Sequence, residues 1–544
     1  MRALDRPNIQ QPAHIDVNGT KKKPRKKHRA LKGILFVLLL AGVIIGVNLW
    51  TSRWPNTINM SSTCGNMGSM HEMKMDGMDM TGSGSMCNTL PHSGGTPMAQ
   101  LVGPQTAAHV DTFTLTAATA RLSIGQGKTI DALTFNGTSP GPTLRVQQGD
   151  LVVVHLINKS VAQGVTIHWH GIDVPNAEDG VAGVTQNAVW PGQSYTYRFL
   201  AQDPGTYWYH SHQYSYDETG SGLYGAFIVD PTTPSFHDDV DATIQLHDWV
   251  SGSFPSFQIN QLINGSTETL HIPAKPGQWV RLRLINTGPG ALHVVTVAGA
   301  PFTVVALDGH NLNGPTPLVT TPLPIGSAQR YDVRFQMPAS GAVALFREKD
   351  TQDGPSGPYN KTPVVTIGQG STPAAPAIES WFDYTHYGTP DAQALSVHSH
   401  FDATYTLTLS SHVGFYNGKF GAVYMFNGQA FPNTPTIVVQ FGQVIRLHFV
   451  NTSKEVHPIH LHGHMFTVLE RNGHPLIGSP VRLDTINILP GETDDIAFVA
   501  NNPGLWMLHC HNLAHANLGM DMMIAYANIS TPYSIGNTSK NFPD

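Results

Sequence analysis

Charge is scarce in this chain, and cysteine scarcer. Charged residues make up 12% of the 544, about half the usual share, and the cysteines are three: Cys64, Cys87 and Cys510. Three cysteines allow one disulfide at most, so a disulfide scaffold is excluded. From residue 108 onward there is no long helical pattern. Short alternating apolar runs separated by turns, in a chain with 53 Gly and 39 Pro, exclude a helical fold and predict an all-β one. A chain this long exceeds one core, so three or four domains are expected. Residues 1–32 carry ten Lys/Arg and two Asp, +8 in all, which leaves −14 on the rest of a chain of net charge −6. So acidic a body excludes nucleic acid as a partner.

Charge is wholly missing from Gly33 to Trp50. Eighteen helical residues span roughly 27 Å, about the thickness of a bilayer core. Eight positive charges in residues 21–32 precede this stretch and should stay cytoplasmic, with everything after Trp50 outside. A cleaved signal peptide is the competing reading. No small-x-small site follows Val47, which favours an uncleaved single-pass anchor in the plasma membrane over residues 33–50. Residues 51–107 lack apolar periodicity and read as a flexible linker. The linker concentrates Met60, Met67, Met70, Met73, Met75, Met78, Met80 and Met86 around His71. Thioethers select Cu(I), so this linker is a candidate for extra Cu(I) binding. Cys64 and Cys87 bracket it, as a disulfide, as copper ligands or as unpaired thiols.

One unit then occurs three times. Phe135-Asn136-Gly137 is followed by Gly149 and Asn158, Ile263-Asn264-Gly265 by Gly277 and Asn286, and Phe426-Asn427-Gly428 by Gly442 and Asn451. The spacing predicts three β-sandwich domains, over 108–232, 233–372 and 400–530. A connector over 373–399 and a tail over 531–544 complete the chain. Asn158-Lys-Ser and Asn451-Thr-Ser match a glycosylation pattern but sit where a turn calls for Asn.

Histidine is abundant, at 28, and clusters after the first and third of these Asn residues: His168/His170 and His210/His212, then His457/His460/His462 and His509/His511/His515. After Asn286 only His293 appears, so the middle unit reads as a spacer. If residues 508–512 form a strand, His509 and His511 point one way and Cys510 the other, and one strand serves two metal sites. Two His, one Cys and a distant Met are the ligands of an electron-transfer copper. Cys510, His515 and Met520 supply three of the four.

The four clusters, in this order, resemble the copper motifs of the multicopper oxidases, the family of laccases, cuprous oxidases and ferroxidases, over roughly residues 108–530. The resemblance implies three consecutive cupredoxin-like Greek-key domains and four copper ions. It places type 1 copper on His457, Cys510 and His515 with Met520 axial. Type 2 copper would take His168 and His460. One type 3 ion would take His170, His210 and His511, the other His212, His462 and His509. The implied reaction couples one-electron oxidation of a small reductant, phenol-like or a metal ion, to reduction of O2 to water, with Cys510 passing electrons through His509 and His511. Asp179 matches an acidic position that relatives use to deliver protons. Ala516 stands where many bacterial relatives carry Glu, so a relay through that position is absent and another carboxylate or water must serve, with Glu492 and Asp484 as unassigned candidates. Copper nitrite reductase, or a tethered copper carrier without catalysis, are the competing functions; either leaves most of these histidines surplus.

Overall fold

The computed structural model describes residues 25–60, 95–251, 258–290, 292–348, 359–377 and 380–544. Cys64, Cys87 and the methionines from Met67 to Met86 lie outside them. Six sheets pair into three sandwiches, one per repeat. In the first, strands Val110–Gly125, Lys128–Phe135, Leu151–Asn158 and Ser194–Leu200 form one sheet; Leu144–Gln147, His168–His170, Gly205–His210 and Tyr224–Asp230 form the other.

The repeated Asn-Gly has one physical cause in all three units. Asn136, Asn264 and Asn427 each turn the chain with positive φ (55°, 48°, 49°) ahead of a positive-φ glycine. Each Asn Oδ1 then accepts from a backbone N–H of the paired strand at 2.7 Å, that of Thr116, Gln245 or Thr408. The Nδ2 donates two residues back along that strand, to the carbonyls of Thr114, Thr243 and Thr406. The second Asn of each unit is equally committed. Asn158 and Asn451 are buried, with Nδ2 donating to Val161 and Val189 carbonyls in one and to those of Glu455, Ile488 and Leu489 in the other. Both are structural turns, as their position suggested.

Two strand pairs position the site. In the first sandwich His168 lies opposite His210. In the third, His460 lies opposite His509, on strands His457–Leu461 and Leu505–Cys510. The two sandwiches are clamped where Asn176 Nδ2 donates to the Leu505 carbonyl (2.9 Å) and its Oδ1 accepts from Leu505 N (3.1 Å).

Two expectations need correction. The strand expected over 508–512 ends at Cys510; His511 lies beyond it and Asn512 precedes a short helix, Leu513–Asn517. The linker is moored at both ends: Ile58–Asn59 pairs with Ser534–Ile535, and Thr96–Pro97 with Ile529–Ser530. The 531–544 tail folds back onto the first sandwich, where Tyr214 N donates to the Phe542 carbonyl (2.6 Å) and Tyr214 and Phe542 stack at 5.0 Å. Among the described residues one helix, Arg25–Thr51, is long and apolar enough to cross a membrane; its window Ile34–Thr51 has mean hydropathy 2.4 and none of it is buried.

Candidate metal centre

Cys510 is fully buried, with Sγ 3.5 Å from both His457 Nδ1 and His515 Nδ1, which are 3.2 Å apart. Met520 is buried beside them, its carbonyl accepting from Cys510 N (3.1 Å). The outer face of His457 is fixed, as Nε2–H donates to Ser453 Oγ (2.8 Å). His515 lies under the Tyr424 ring, stacked at 3.9 Å. Burial pushes the Cys510 thiol well up and pulls His457 down to about 3. A neutral imidazole is what a metal needs, and a bound cation reverses the thiol's preference. The donor set therefore fits a copper ion, and no other use of a buried cysteine between two imidazoles accounts for it as well.

Eight more imidazoles meet at the seam of the first and third sandwiches, all buried. In each, one ring nitrogen is held. Nδ1 of His168 donates to the Asp179 carbonyl (2.9 Å), of His210 to Ser211 O (2.9 Å), of His212 to Pro543 O (3.1 Å) and of His460 to Asp484 O (2.9 Å). His462 Nδ1 donates to the Asp179 carboxylate (3.1 Å), and His509 Nδ1 to Cys510 O (3.2 Å). His511 Nδ1 meets Ser327 Oγ (3.3 Å). His170 is reversed, its Nε2–H donating to Asp484 Oδ1 (3.0 Å).

The opposite nitrogens have no protein partner of complementary kind. His168, His210, His212, His460 and His511 Nε2 and His170 Nδ1 are buried without a hydrogen bond, and the Nε2 atoms of His462 and His509 face each other at 3.1 Å. Burying so many lone pairs unpaired is costly. Cations at their focus remove that cost. Burial holds His170, His210, His212, His462, His509 and His511 well below the usual imidazole range, so they stay neutral. The ligating nitrogens of His212, His462 and His509 lie within 4.8 Å of one another, as do those of His168, His460 and His462. The His511 ring lies 4.8 Å from that of His170 and 5.3 Å from that of His210.

Asp179 is buried, with Oδ1 3.1 Å from His168 Nδ1 and Oδ2 3.1 Å from His462 Nδ1. Gly180 makes this placement possible. Its φ is +79°, and a Cβ there would run into the Ile167 carbonyl just before His168. Of the other carboxylates, Glu492 pairs with Arg471 (2.7 Å), whereas Asp484 holds His170 and His460 and accepts from the buried Arg330 (2.8 Å). His464, outside the ligand pattern, packs on Tyr526 with Nε2 2.7 Å from its hydroxyl. His398, in the connector, and His400, at the start of the third unit, are exposed.

Several site residues have no motif. Ser327 and Arg330 come from the middle sandwich, which is thus more than a spacer. Pro543 and Asp544 come from the tail. Asp544 meets Ser215 Oγ (2.5 Å) and Asp521, whose Oδ1 is 4.0 Å from His509 Nδ1. Burial pushes Asp521 well up and Asp544 up to about 6.

Beside His515 a cleft of about 300 Å³ opens, lined by Glu455, Asn512, Ala514, Leu292 and Asp248 among others. Asp248 is paired with Arg347 (2.9 Å). Glu455 Oε1 accepts from Tyr424 (3.0 Å), while its Oε2 has no hydrogen-bond partner.

Family models described as multicopper oxidase match residues 116–234, 236–358 and 401–529. The chain belongs to the multicopper oxidases. It is 31% identical to a multicopper oxidase of Mycobacterium tuberculosis over 76% of this chain and 87% of that one. It is 30% identical to a laccase of Botryotinia fuckeliana over 76% and 81%. Among solved structures, a multicopper oxidase from Pseudomonas thermotolerans superposes with a TM-score of 0.62 at 27% identity, covering 77% of this chain and all of that one. This oxidase is accordingly a copper-dependent oxidoreductase that uses O2 as acceptor, with type 1, type 2 and type 3 sites.

Proposed function

We propose a membrane-anchored, laccase-like oxidase. In this reading His457, Cys510, His515 and Met520 would hold type 1 copper, and His168 and His460 type 2 copper. The type 3 pair takes His170, His210 and His511 on one ion and His212, His462 and His509 on the other. The carrying observation is the set of eight buried imidazoles, each with one nitrogen held and the other facing a common focus. Copper bound there would supply the one-electron redox chemistry that couples oxidation of a reductant to reduction of O2 to water. The protein's part is positional. Cys510 is joined through the backbone to His509 and His511, so one peptide segment bridges both sites. Asp179 holds His168 and His462 and passes protons toward the focus that they face. The cleft at His515 admits the reductant, an organic donor such as a phenol or a metal ion, and Glu455 supplies a hydrogen-bond acceptor there. A nitrite reductase or a carrier would have no use for the eight-imidazole focus. Copper analysis of the purified chain, together with O2 uptake stoichiometric with reductant loss, tests the assignment; a single copper per chain, or reductant loss without O2 uptake, overturns it.

Residues 33–50 serve as the anchor, with residues 1–32 cytoplasmic and the catalytic body outside. The methionine-rich linker collects Cu(I) for oxidation. Deleting residues 61–86, which leaves the buried Met60 in place, is expected to depress Cu(I) oxidation while sparing organic dyes. Equal effects on both substrates count against the collecting role.

A further inference from the structure

After the apolar helix ends at Thr51 the chain binds the body at once. Gly418 N donates to Ser52 Oγ (3.3 Å), and Trp54 N donates to Asn417 Oδ1 (3.3 Å). The Trp54 indole packs edge-on against Tyr416 (5.8 Å) and Phe431 (5.3 Å). Asn417-Gly418 is the turn of the hairpin formed by Ala403–Tyr416 and Lys419–Phe426. The tip of this hairpin therefore lies one residue beyond the membrane-length helix.

The tip has two unlike faces. Tyr416, Val423 and Met425 share one face, and it is covered by Trp54. On the other face Val413 lies opposite Ala422 and Phe415 opposite Phe420, with the two phenyl rings 5.0 Å apart. Farther from the tip the same face carries Leu409, Tyr424 and Phe426 and is buried in the core. At the tip nothing among the described residues covers it: Val413 is 70% exposed and Phe420 65%. Trp50, in the last turn of the helix, is 72% exposed. Lys419 is exposed in the tip itself, and the Arg53 side chain lies along Gly418.

A bilayer has an interfacial layer of roughly 5–8 Å on each side of its hydrocarbon core, and aromatic side chains concentrate there. A tip hydrogen-bonded to the residues that leave the core falls within that layer. We propose that the hairpin tip, through Val413, Phe415, Phe420 and Ala422, is a second membrane contact, seated among the headgroups of the bilayer that the N-terminal helix crosses. This rests on the anchor reading. The helix supplies attachment, and the tip fixes the tilt of the body. Tyr424 follows four residues along the same strand and stacks on His515. The contact thus holds the type 1 edge roughly 13 Å from the tip's aromatic pair along the strand.

The test uses the full chain, with Cys64→Ser and Cys87→Ser, in vesicles of phosphatidylcholine and phosphatidylglycerol carrying a headgroup nitroxide. A bimane label is placed by Phe420→Cys, by Val413→Cys as an independent second site, by Trp50→Cys, and by Ile477→Cys as an exposed position elsewhere on the body. The expected result is loss of most emission at Trp50, Phe420 and Val413, with Ile477 unchanged. Quenching at Trp50 with Phe420 and Val413 behaving like Ile477 overturns the contact and leaves the anchor standing. No quenching at Trp50 either overturns both. Protection of Phe420 that grows with protein density, without quenching, assigns the face to a second copy of the chain and also overturns the proposal.

Discussion

An imidazole with one nitrogen hydrogen-bonded and the other facing only its own kind is poorly placed in an apolar interior until a cation arrives. Eight such residues make the histidine pattern a statement about metal, and the motif spacing carried it, because His-x-His on a strand fixes both rings to one face. What held each ring was illegible. The carbonyls of Asp179, Asp484 and Pro543 and the hydroxyl of Ser327 become partners only through tertiary contact. Two predictions belong to single residues. Glu455→Gln keeps the shape of the cleft beside His515 but replaces its carboxyl, whose Oε2 has no hydrogen-bond partner, with an amide. It should raise KM for cationic organic donors several-fold while leaving copper content and KM for anionic donors nearly unchanged, as steady-state assays with both donor types would show. Asp494 is buried, and burial pushes its carboxyl from 3.8 up to about 7, against the pull of Arg471. Between those values the folded chain keeps a proton that the unfolded chain has lost, so this group lowers stability as pH rises from about 4 to about 7, and its full cost is present above 7. Asp494→Asn should therefore gain stability over the parent at pH 8 but not at pH 4, as urea midpoints at both pH values would show.

Elements repeat because one solution to a turn was used three times. Asn at positive φ both makes the bend and ties it to the adjacent strand, which is why the tripeptide was visible without any structure. Asn427→Ala loses a donor and an acceptor at once and puts into the left-handed region a residue that enters it less readily than Asn. A loss of about 1–3 kcal/mol is expected, measurable as a lower unfolding midpoint with copper content retained. Strand ends were harder to read. Cys510 closes its strand because Pro458, opposite His511, has no N–H to return the bond that its carbonyl accepts from His511 N, and Asn512 opens a helix. Alternation alone could not foresee that. The faces nevertheless come out as expected, with Cys510 on one side and His509 and His511 on the other.

At the scale of the molecule the three sandwiches were legible and their interdependence was not. The middle one has no metal-type histidine cluster, yet it sends Arg330 to Asp484 and Ser327 to His511. Arg330 is wholly buried, a cost that the carboxylates of Asp484 and Asp308 offset. The tail is the other surprise. Because Pro543 holds His212 and Asp544 reaches Ser215 and Asp521, removal of residues 536–544 should speed loss of copper to a chelator, with the type 1 colour the last to fade. Stopped-time copper analysis would check this, and equal loss rates in the two proteins would count against a role for the tail.

The two moorings of the methionine-rich stretch have a consequence for how the chain can vary. Asn59 sits against Ser534 and Thr96 against Ile529, so departure and return points lie on neighbouring parts of one strip. The residues between them need only join those two points, whatever their number. Each doubling of that number costs only about 0.6 kcal/mol in closure entropy. The insert can be exchanged, shortened or rewritten as a cassette, and the oxidase beneath would keep its shape.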